Sequence, residues 1–213
     1  MYERTSSLRL AVFASGSGSN FGAVLKSIDT GKLNAKPTLL IADRPAIGAI
    51  DKAEARDIPV AILPPGKFEN EDAFAEALLH ALANHGVEFI ALAGYLKKIP
   101  ASVVDAFKHR MLNIHPALLP SFGGKGMYGP RIHEAVLEHG CRVTGVTVHL
   151  VDSEYDTGPI VLQEPVAVRQ DDSPRSLAAR VLQLEHRLYP EALQLFAEGR
   201  VEMNGRRVQI RDG

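Results

Sequence analysis

The sequence predicts an α/β protein with a Rossmann-like, open and mostly parallel twisted sheet, helices on both faces, and a C-terminal part with antiparallel strands and a long helix. Short apolar runs alternate with segments of helical periodicity, which is typical of βαβ units. The first run, Leu8–Ala14, is almost wholly apolar, as a strand buried on both faces must be. Near the C-terminus, one face of a long helix carries Leu177, Val181, Leu184 and Leu188.

The remaining helices and strands are predicted from the periodicity of apolar residues and from turn residues. Within residues 70–84, Phe74, Leu78 and Leu82 recur at i, i+4 and i+8, which indicates a helix with one apolar stripe. Asn204-Gly205 between two short runs predicts a hairpin. The predicted strands are residues 8–14, 37–42, 58–63, 87–93, 111–115, 143–151 and 160–168. The predicted helices are residues 20–28, an alanine-rich segment after the second strand, 70–84, 101–107, a short segment after residue 130, and 173–197.

Length and charge restrict the class of protein. A chain of 213 residues, 46% of them hydrophobic, is long enough to bury a large core, and we treat residues 1–213 as a single domain. Lys and Arg number 24 against 25 Asp and Glu, so the chain as a whole has no electrostatic attraction for nucleic acid or anionic lipid. We expect no nucleic-acid or membrane partner.

The N-terminus and the cysteine content bear on location. Residues 1–7 have no apolar core of signal-peptide length, and no apolar run is long enough to span a bilayer. The single cysteine, Cys141, has no partner for an internal disulfide, which suits a reducing compartment. We therefore expect a cytoplasmic protein.

A glycine- and serine-rich loop, residues 15–20, separates the first strand from the first helix. Backbone N–H groups and the positive helix end meet there, and glycine lets an anion approach the main chain, so the expected ligand is a phosphate. The alternative is a tight turn in which Ser19 or Asn20 caps the helix. The glycine spacing does not fit the dinucleotide pattern, and the lysine of a Walker loop is absent.

Asn113 and His115 stand at the end of the strand 111–115. Residues i and i+2 of a strand share a face, so an amide and an imidazole point the same way. Pro116 ends the strand, and open α/β sheets bind ligands at the carboxyl ends of their strands. A neutral donor beside a titratable donor suits an oxyanion formed from a carbonyl. The alternative is that both side chains only hold the loop of residues 116–130, which contains three Pro and four Gly.

The loop of residues 152–158 carries three acids within five residues, Asp152, Glu154 and Asp156. Such loops are usually solvated turns, and the Gly and Glu positions of a calcium loop are not matched here. A carboxylate placed beside His115 would fix its tautomer and raise its pKa, which would keep the ring protonated near neutral pH.

Other titratable residues are less informative. Glu185 lies within the apolar stripe of the last helix, either at its edge or turned into a cleft. His149 is expected to be a hydrogen-bonded structural residue and His133 a helix-start residue. Four further histidines are expected to be exposed: His80, His85, His109 and His139. Because there is one cysteine and no H-x-x-x-H or C-x-x-C spacing, we expect no metal site.

Taken together, these stretches resemble the phosphoribosylglycinamide formyltransferase family, also called glycinamide ribonucleotide transformylases. The likeness runs from Leu8 to about Arg200. Its most specific motifs are Asn113-Ile114-His115-Pro116 with Leu118-Leu119-Pro120, and His149-Leu150-Val151 followed by Asp156-Thr157-Gly158-Pro159. The resemblance implies attack by the amine of glycinamide ribonucleotide on the formyl carbon of 10-formyltetrahydrofolate, with no metal.

The resemblance also implies roles for individual residues. The catalytic groups would be Asn113, His115 and Asp156. The substrate-binding residues would be Gly18, Ser19 and Asn20, which would take the ribonucleotide phosphate, and Glu185, which would take the glycine amine. The folate-binding residues would be Leu96, Lys97, Lys98, Ile99 and Asn113. Residues 8–100 would then form a nucleotide-phosphate half and residues 101–200 a catalytic and folate half of a monomer or homodimer.

Two positions depart from the family pattern. The stretch of residues 68–72, with Glu71 near its centre, offers acids and an amide where relatives often carry an arginine. Lys125, in the glycine-rich loop of residues 123–129, is a candidate replacement. Lys97 stands where some relatives have arginine, which keeps the charge but loses the planar fork.

Other functions are also consistent with this sequence. A 10-formyltetrahydrofolate hydrolase or another formyl-folate enzyme would share these motifs. From a different class, the chain would be a non-catalytic nucleotide-binding module of Rossmann-like fold, or a nicotinamide-dependent enzyme that uses Asp43 at the end of the second strand.

Overall fold

Seven strands form one mixed sheet in the computed structural model, which describes residues 7–212. The strands are β1 (Leu8–Ala14), β2 (Ala35–Ala42), β3 (Val60–Ile62), β4 (Phe89–Leu92), β5 (Met111–His115), β6 (Val143–Leu150) and β7 (Ile160–Ala167). Their order across the sheet is β3-β2-β1-β4-β5-β6-β7. The first five are parallel, β6 is antiparallel to β5, and β7 is antiparallel to β6. The predicted fold class is therefore confirmed.

Helices cover both faces of this sheet. They are α1 (Ser19–Asp29), α2 (Gly48–Glu54), α3 (Glu71–Asn84), α4 (Ala101–Ala106), α5 (Pro130–Glu138) and α6 (Pro174–Ala197). Alternate residues of β1 supply the two cores, since Leu10 and Val12 face α1, α2, α5 and α6, whereas Ala11 and Phe13 face α3 and α4. None of the helices within residues 7–212 combines the length and apolar character needed to cross a membrane.

The long helix α6 is attached directly to the strands that carry the site. Ser173 and Ser176 form a reciprocal capping box at its start. The hydroxyl of Tyr189, which is fully buried, lies 2.9 Å from the Leu92 carbonyl and 3.1 Å from the Leu112 carbonyl. This contact ties α6 to β4 and β5.

Several predicted boundaries differ from the observed ones. β3 is shorter than the predicted 58–63 and β4 shorter than 87–93, while β1 and β5 match their predicted bounds. The predicted hairpin is present as β8 (Val201–Asn204) and β9 (Arg207–Ile210). Asn204 pairs with Arg207, so its two-residue turn consists of Gly205 and Arg206 rather than Asn204 and Gly205. The signal-peptide expectation concerns mainly residues 1–6, which lie outside the described range.

Candidate active site

A cavity of about 1090 Å³ opens where β4 and β5 end. Its walls come from the segment after β4, from β5, from the glycine-rich loop before α5, from the β6–β7 loop, and from α6. The lining includes Asn20, Leu96, Lys97, Lys98, Ile99, Asn113, His115, Lys125, His133, His149, Asp156 and Glu185. Most of the sequence-predicted site residues therefore meet in one place.

Asn113 and His115 project from β5 as the strand periodicity predicts. Their neighbours Leu112 and Ile114 belong to the hydrophobic core on the opposite face. His115 is 4% exposed, and its Nε2 donates a 2.8 Å hydrogen bond to the carbonyl of Phe122. This bond leaves Nδ1 as the ring nitrogen that faces the acid loop.

The β6–β7 loop places Asp156 against these two residues. Its Oδ2 lies 3.6 Å from His115 Nδ1 and accepts a 2.9 Å hydrogen bond from the Gly124 N–H. Its Oδ1 accepts a 3.4 Å bond from Asn113 Nδ2. Asp156 has a φ of 57°, a left-handed conformation that is unusual for a residue with a side chain. The three predicted catalytic groups thus surround one point.

Burial is the largest single influence on the pKa of both His115 and Asp156, but it prevails only at His115. It lowers the pKa of His115 below its ordinary value, although Asp156 and the Phe122 carbonyl act in the opposite direction. The expected rise in the pKa of His115 is therefore wrong for this structure, because desolvation of the imidazolium outweighs the carboxylate. Burial acts to raise the pKa of Asp156, but the two neighbouring imidazoles and the Gly124 N–H outweigh it and hold that pKa low.

His149 belongs to the same cluster, which sequence reasoning missed. It is hydrogen-bonded as expected, since Nδ1 donates to the Leu150 carbonyl at 2.8 Å. Its Nε2, however, accepts a 3.1 Å bond from Asn113 Nδ2 and lies 3.7 Å from Asp156 Oδ1. The register of β5 and β6 places Asn113 opposite His149. This pairing explains the position of His149, but it cannot be predicted from the sequence of one strand alone.

His133 is a second residue whose position was not predicted. It lies within the first turns of α5, but it is 4% exposed and lines the cavity instead of merely starting the helix. Burial lowers its pKa, and so does the nearby His115. Of the histidines expected to be exposed, His85 is half-buried and the other three are exposed.

Glu185 turns into the cavity instead of standing at the edge of the α6 stripe. It is 8% exposed and accepts a 2.6 Å hydrogen bond from Asn20 Nδ2. Burial raises the pKa of Glu185 from 4.5 to about 6, with the Asn20 bond acting against the rise. A buried carboxylate with a free lone pair beside an amide can bind a cation or a hydrogen-bond donor.

The glycine–serine loop reaches the cavity only in part. Asn20 lines it, whereas Ser19 lines a separate groove of about 990 Å³ between α1 and α6. Gly18 is the left-handed N-cap of α1 with a φ of 68°, and a Cβ at this position would lie 2.8 Å from the Ala49 backbone. Gly18 therefore has a structural reason to be glycine. In the described part of the chain, the N–H groups of Ser17 and Gly18 have no backbone acceptor.

The predicted folate segment forms one wall of the cavity. The N–H of Leu96 donates a 2.9 Å hydrogen bond to Ser15 Oγ, and Ile99 is buried. Lys97 Nζ lies 3.8 Å from Asp43 Oδ2, and Lys98 Nζ lies 4.0 Å from Glu154. Asp43 is thus already paired with a cation.

The stretch of residues 68–72 and its candidate replacement Lys125 lie in different parts of the fold. Asn70, in the stretch without an arginine, caps α3 by accepting the Ala73 N–H at 2.9 Å. Lys125 lines the cavity, as does Arg175 in the first turn of α6. Among residues 7–212, no cluster of three or more His, Cys, Asp or Glu side chains has the arrangement of a metal site.

Comparison with known proteins assigns the family. A family model described as "Formyl transferase" matches residues 8–193. The chain belongs to the formyl transferase family. Among curated relatives, this formyltransferase is 46% identical over 195 residues to the chloroplastic phosphoribosylglycinamide formyltransferase of Arabidopsis thaliana, covering 91% of the chain and 67% of the relative. It is 38% identical to the Bacillus subtilis phosphoribosylglycinamide formyltransferase, covering 87% and 93%.

Solved structures agree with this assignment. The formyltransferase superimposes on glycinamide ribonucleotide transformylase 1 from Symbiobacterium toebii with a TM-score of 0.91 and 38% identity, covering 100% of this chain and 98% of the other. A formyltetrahydrofolate deformylase from Pseudomonas syringae shares the fold at a TM-score of 0.87 but is only 22% identical, and this chain covers 67% of it. The chain spans 62% of the chloroplastic relative from Vigna unguiculata.

Proposed function

We propose that the chain transfers the formyl group of 10-formyltetrahydrofolate to the amine of glycinamide ribonucleotide, a step of purine synthesis. The proposal depends on one observation, the convergence of Asn113, His115 and Asp156 on one wall of the cavity. Relatives that carry this activity in their names, at 38–46% identity, support it. An amide and an imidazole are suitable donors for the oxyanion that a formyl group forms under attack.

In this mechanism the amine nitrogen attacks the formyl carbon, and the carbonyl oxygen becomes the oxyanion of a tetrahedral intermediate. Asn113 and protonated His115 donate hydrogen bonds to that oxygen. Asp156 stabilises the imidazolium through its negative charge. When the intermediate collapses, the bond from carbon to N10 breaks and the carbonyl re-forms on the amine.

The protonation of His115 is linked to these bond changes. Burial lowers the pKa of His115, so the imidazole depends on the negative charge of Asp156 and of the oxyanion to hold its proton. The amine loses a proton as the new C–N bond forms, and N10 gains one as its bond breaks. We infer that His115 carries the proton between the two nitrogens, because the developing oxyanion beside it raises its proton affinity at that moment.

Substrate binding is divided between the two sides of the cavity. The ribonucleotide phosphate binds at the N-terminal turn of α1, through Gly18, Ser19 and Asn20, where N–H groups and the helix end favour an anion. Glu185 holds the glycine amine. On this basis we infer that the phosphate site belongs to residues 8–100, whereas the site for the amine includes Glu185 of α6.

The folate lies against the segment after β4, through Leu96, Lys97, Lys98 and Ile99, with Asn113 at the reacting end. Its anionic glutamate tail needs cations at the cavity mouth. Lys97 and Lys98 supply two, although each already faces a carboxylate, and Lys125 supplies a third. We also expect the protein to be a monomer or a homodimer and to be located in the cytoplasm.

An absorbance assay of tetrahydrofolate formation tests the proposal directly. We expect formation from 10-formyltetrahydrofolate that depends on added glycinamide ribonucleotide, and a much weaker response to the same amine lacking its phosphate. Equal rates with and without the amine would instead indicate hydrolysis. Binding of NAD with no folate-dependent turnover would favour a nicotinamide-dependent enzyme.

A further inference from the structure

The C-terminal hairpin contacts the loop that carries Asp156. Arg206, in the turn between β8 and β9, donates a hydrogen bond from Nη2 to the carbonyl of Thr157, the residue after Asp156. The hairpin is a fixed platform, because Val201, Met203 and Val208 pack against the larger hydrophobic core. It also lies outside residues 8–193, the region that matches the family model.

Thr157 holds the shape of the loop from inside. Its hydroxyl donates a 2.6 Å hydrogen bond to Asp152 Oδ1, which also accepts the Glu154 N–H at 3.2 Å. The carbonyl of Thr157 belongs to the peptide that leads into Gly158. There the chain passes so close to Leu150 that a Cβ on Gly158 would lie 1.7 Å from the Leu150 carbonyl oxygen. Arg206 and this close approach therefore hold the same peptide plane.

This restraint affects Asp156 because that residue is in a left-handed conformation. Such a backbone is costly for a residue with a Cβ and persists only where its surroundings impose it. The contacts of Asp156 with Gly124 and His115 come from its side chain alone, so a shift in the following peptide would move the carboxylate.

We propose that Arg206 is a positioning residue for Asp156. It holds the Thr157 carbonyl, keeps the loop in its left-handed turn, and so keeps the carboxylate facing His115. It touches neither substrate nor reacting atoms. This inference rests on the proposed function, in which Asp156 stabilises the protonated imidazole.

Three variants of the full chain test the proposal. We expect Arg206→Ala to lower kcat roughly fivefold, the scale of one exposed charge-assisted hydrogen bond, with little change in KM for either substrate. Arg206→Lys keeps the charge but not the planar fork and should recover part of the loss. Arg207→Ala removes the same charge from the next residue, whose side chain makes no hydrogen bond or ion pair within residues 7–212, and should leave kcat unchanged.

A double-mutant cycle separates positioning from general stability. If Arg206 acts through Asp156, then Arg206→Ala has no further effect on kcat in an Asp156→Asn background. The NMR titration of His115 should also move to lower pH in Arg206→Ala alone, since the carboxylate no longer supports the imidazolium. An equal fold-loss in both backgrounds, a rise in KM at constant kcat, or no change in kcat would overturn the proposal. Full activity of Asp156→Asn would overturn the proposed function itself.

Discussion

The carboxylate of Asp156 lies 3.6 Å from Nδ1 of His115, beyond hydrogen-bonding distance but close enough for strong electrostatic coupling. The other ring nitrogen of His115 is already used, since it donates to the Phe122 carbonyl. In the proposed mechanism, Nδ1 is therefore the atom that gains and loses a proton. Asp156 is also the largest of the influences that stabilise the protonated ring against burial.

Replacing Asp156 with asparagine should remove that support without changing the shape of the site. We expect Asp156→Asn to lower kcat by about 100- to 1,000-fold, the usual range for losing one electrostatic partner of an oxyanion site, while KM for both substrates changes little. Steady-state kinetics of formyl transfer measure both constants. Asp105→Asn, an exposed change on α4, is the control and should behave as wild type. A variant with unchanged kcat would remove Asp156 from the mechanism.

The same substitution should be visible in the proton affinity of His115. The pKa of His115 already lies below 6.5 because burial disfavours the imidazolium, and Asp156 is the first of the groups that oppose this effect. Removing the negative charge must lower the pKa further. NMR titration of the ring in wild type and Asp156→Asn tests the sign, with exposed His109 as an internal reference. A higher midpoint in the variant would contradict the assigned coupling.

Much of the fold could be predicted because its signals are local. The apolar run of β1 and the stripe of Phe74, Leu78 and Leu82 each predict, from their own sequence pattern, which side chains are buried. The structure buries all of these apolar side chains. Short strands are harder to delimit. β3 pairs with β2 along one side only, so it lacks the second neighbour that would extend its ladder.

Site residues could be predicted where they belong to a single strand or a single sequence motif. Asn113 and His115 share a face by periodicity, and the family motif brought in Asp156. His149 and His133 depend on the β5–β6 register and on how α5 docks, which are long-range relations with no local signal. The pKa of His115 was mispredicted for a similar reason. Sequence indicates a nearby carboxylate, but only the fold shows that the ring is 4% exposed.

Glu185 should make the protein less stable at neutral pH than at acid pH. Its pKa is raised to about 6 in the fold from an ordinary 4.5, so the ionised carboxylate destabilises the folded state increasingly between those values and fully above pH 6. Glu185→Gln keeps the Asn20 bond and removes the charge. We expect it to raise the free energy of unfolding at pH 7.5 by about 1–2 kcal/mol and to have no effect near pH 4.

Denaturant unfolding of Glu185→Gln at the two pH values measures this difference. Glu191→Gln, an exposed change on the same helix, is the matched control. The Gln variant should also raise KM for glycinamide ribonucleotide, because the proposed contact with the amine loses its charge. If the variant is instead more destabilised at pH 7.5 than at pH 4, the ionised carboxylate stabilises the fold and the raised pKa is contradicted.

Two buried threonines on β6 should respond in opposite ways to the loss of their hydroxyls. Thr147 Oγ1 donates to the Ala117 carbonyl at 2.6 Å and accepts hydrogen bonds from the Leu119 N–H and Gln163 Nε2. Thr147→Val leaves the Ala117 carbonyl and the Leu119 N–H with no other hydrogen-bond partner within residues 7–212, so we expect a loss of about 2–4 kcal/mol in the free energy of unfolding. It should also loosen the loop after β5 and lower kcat.

Thr144, equally buried, has no partner for its hydroxyl within residues 7–212. Thr144→Val should therefore be neutral or stabilising. Urea unfolding of both variants measures the two effects. Equal losses of stability at the two positions would show that burial alone, and not the hydrogen bonds of Thr147, sets the cost.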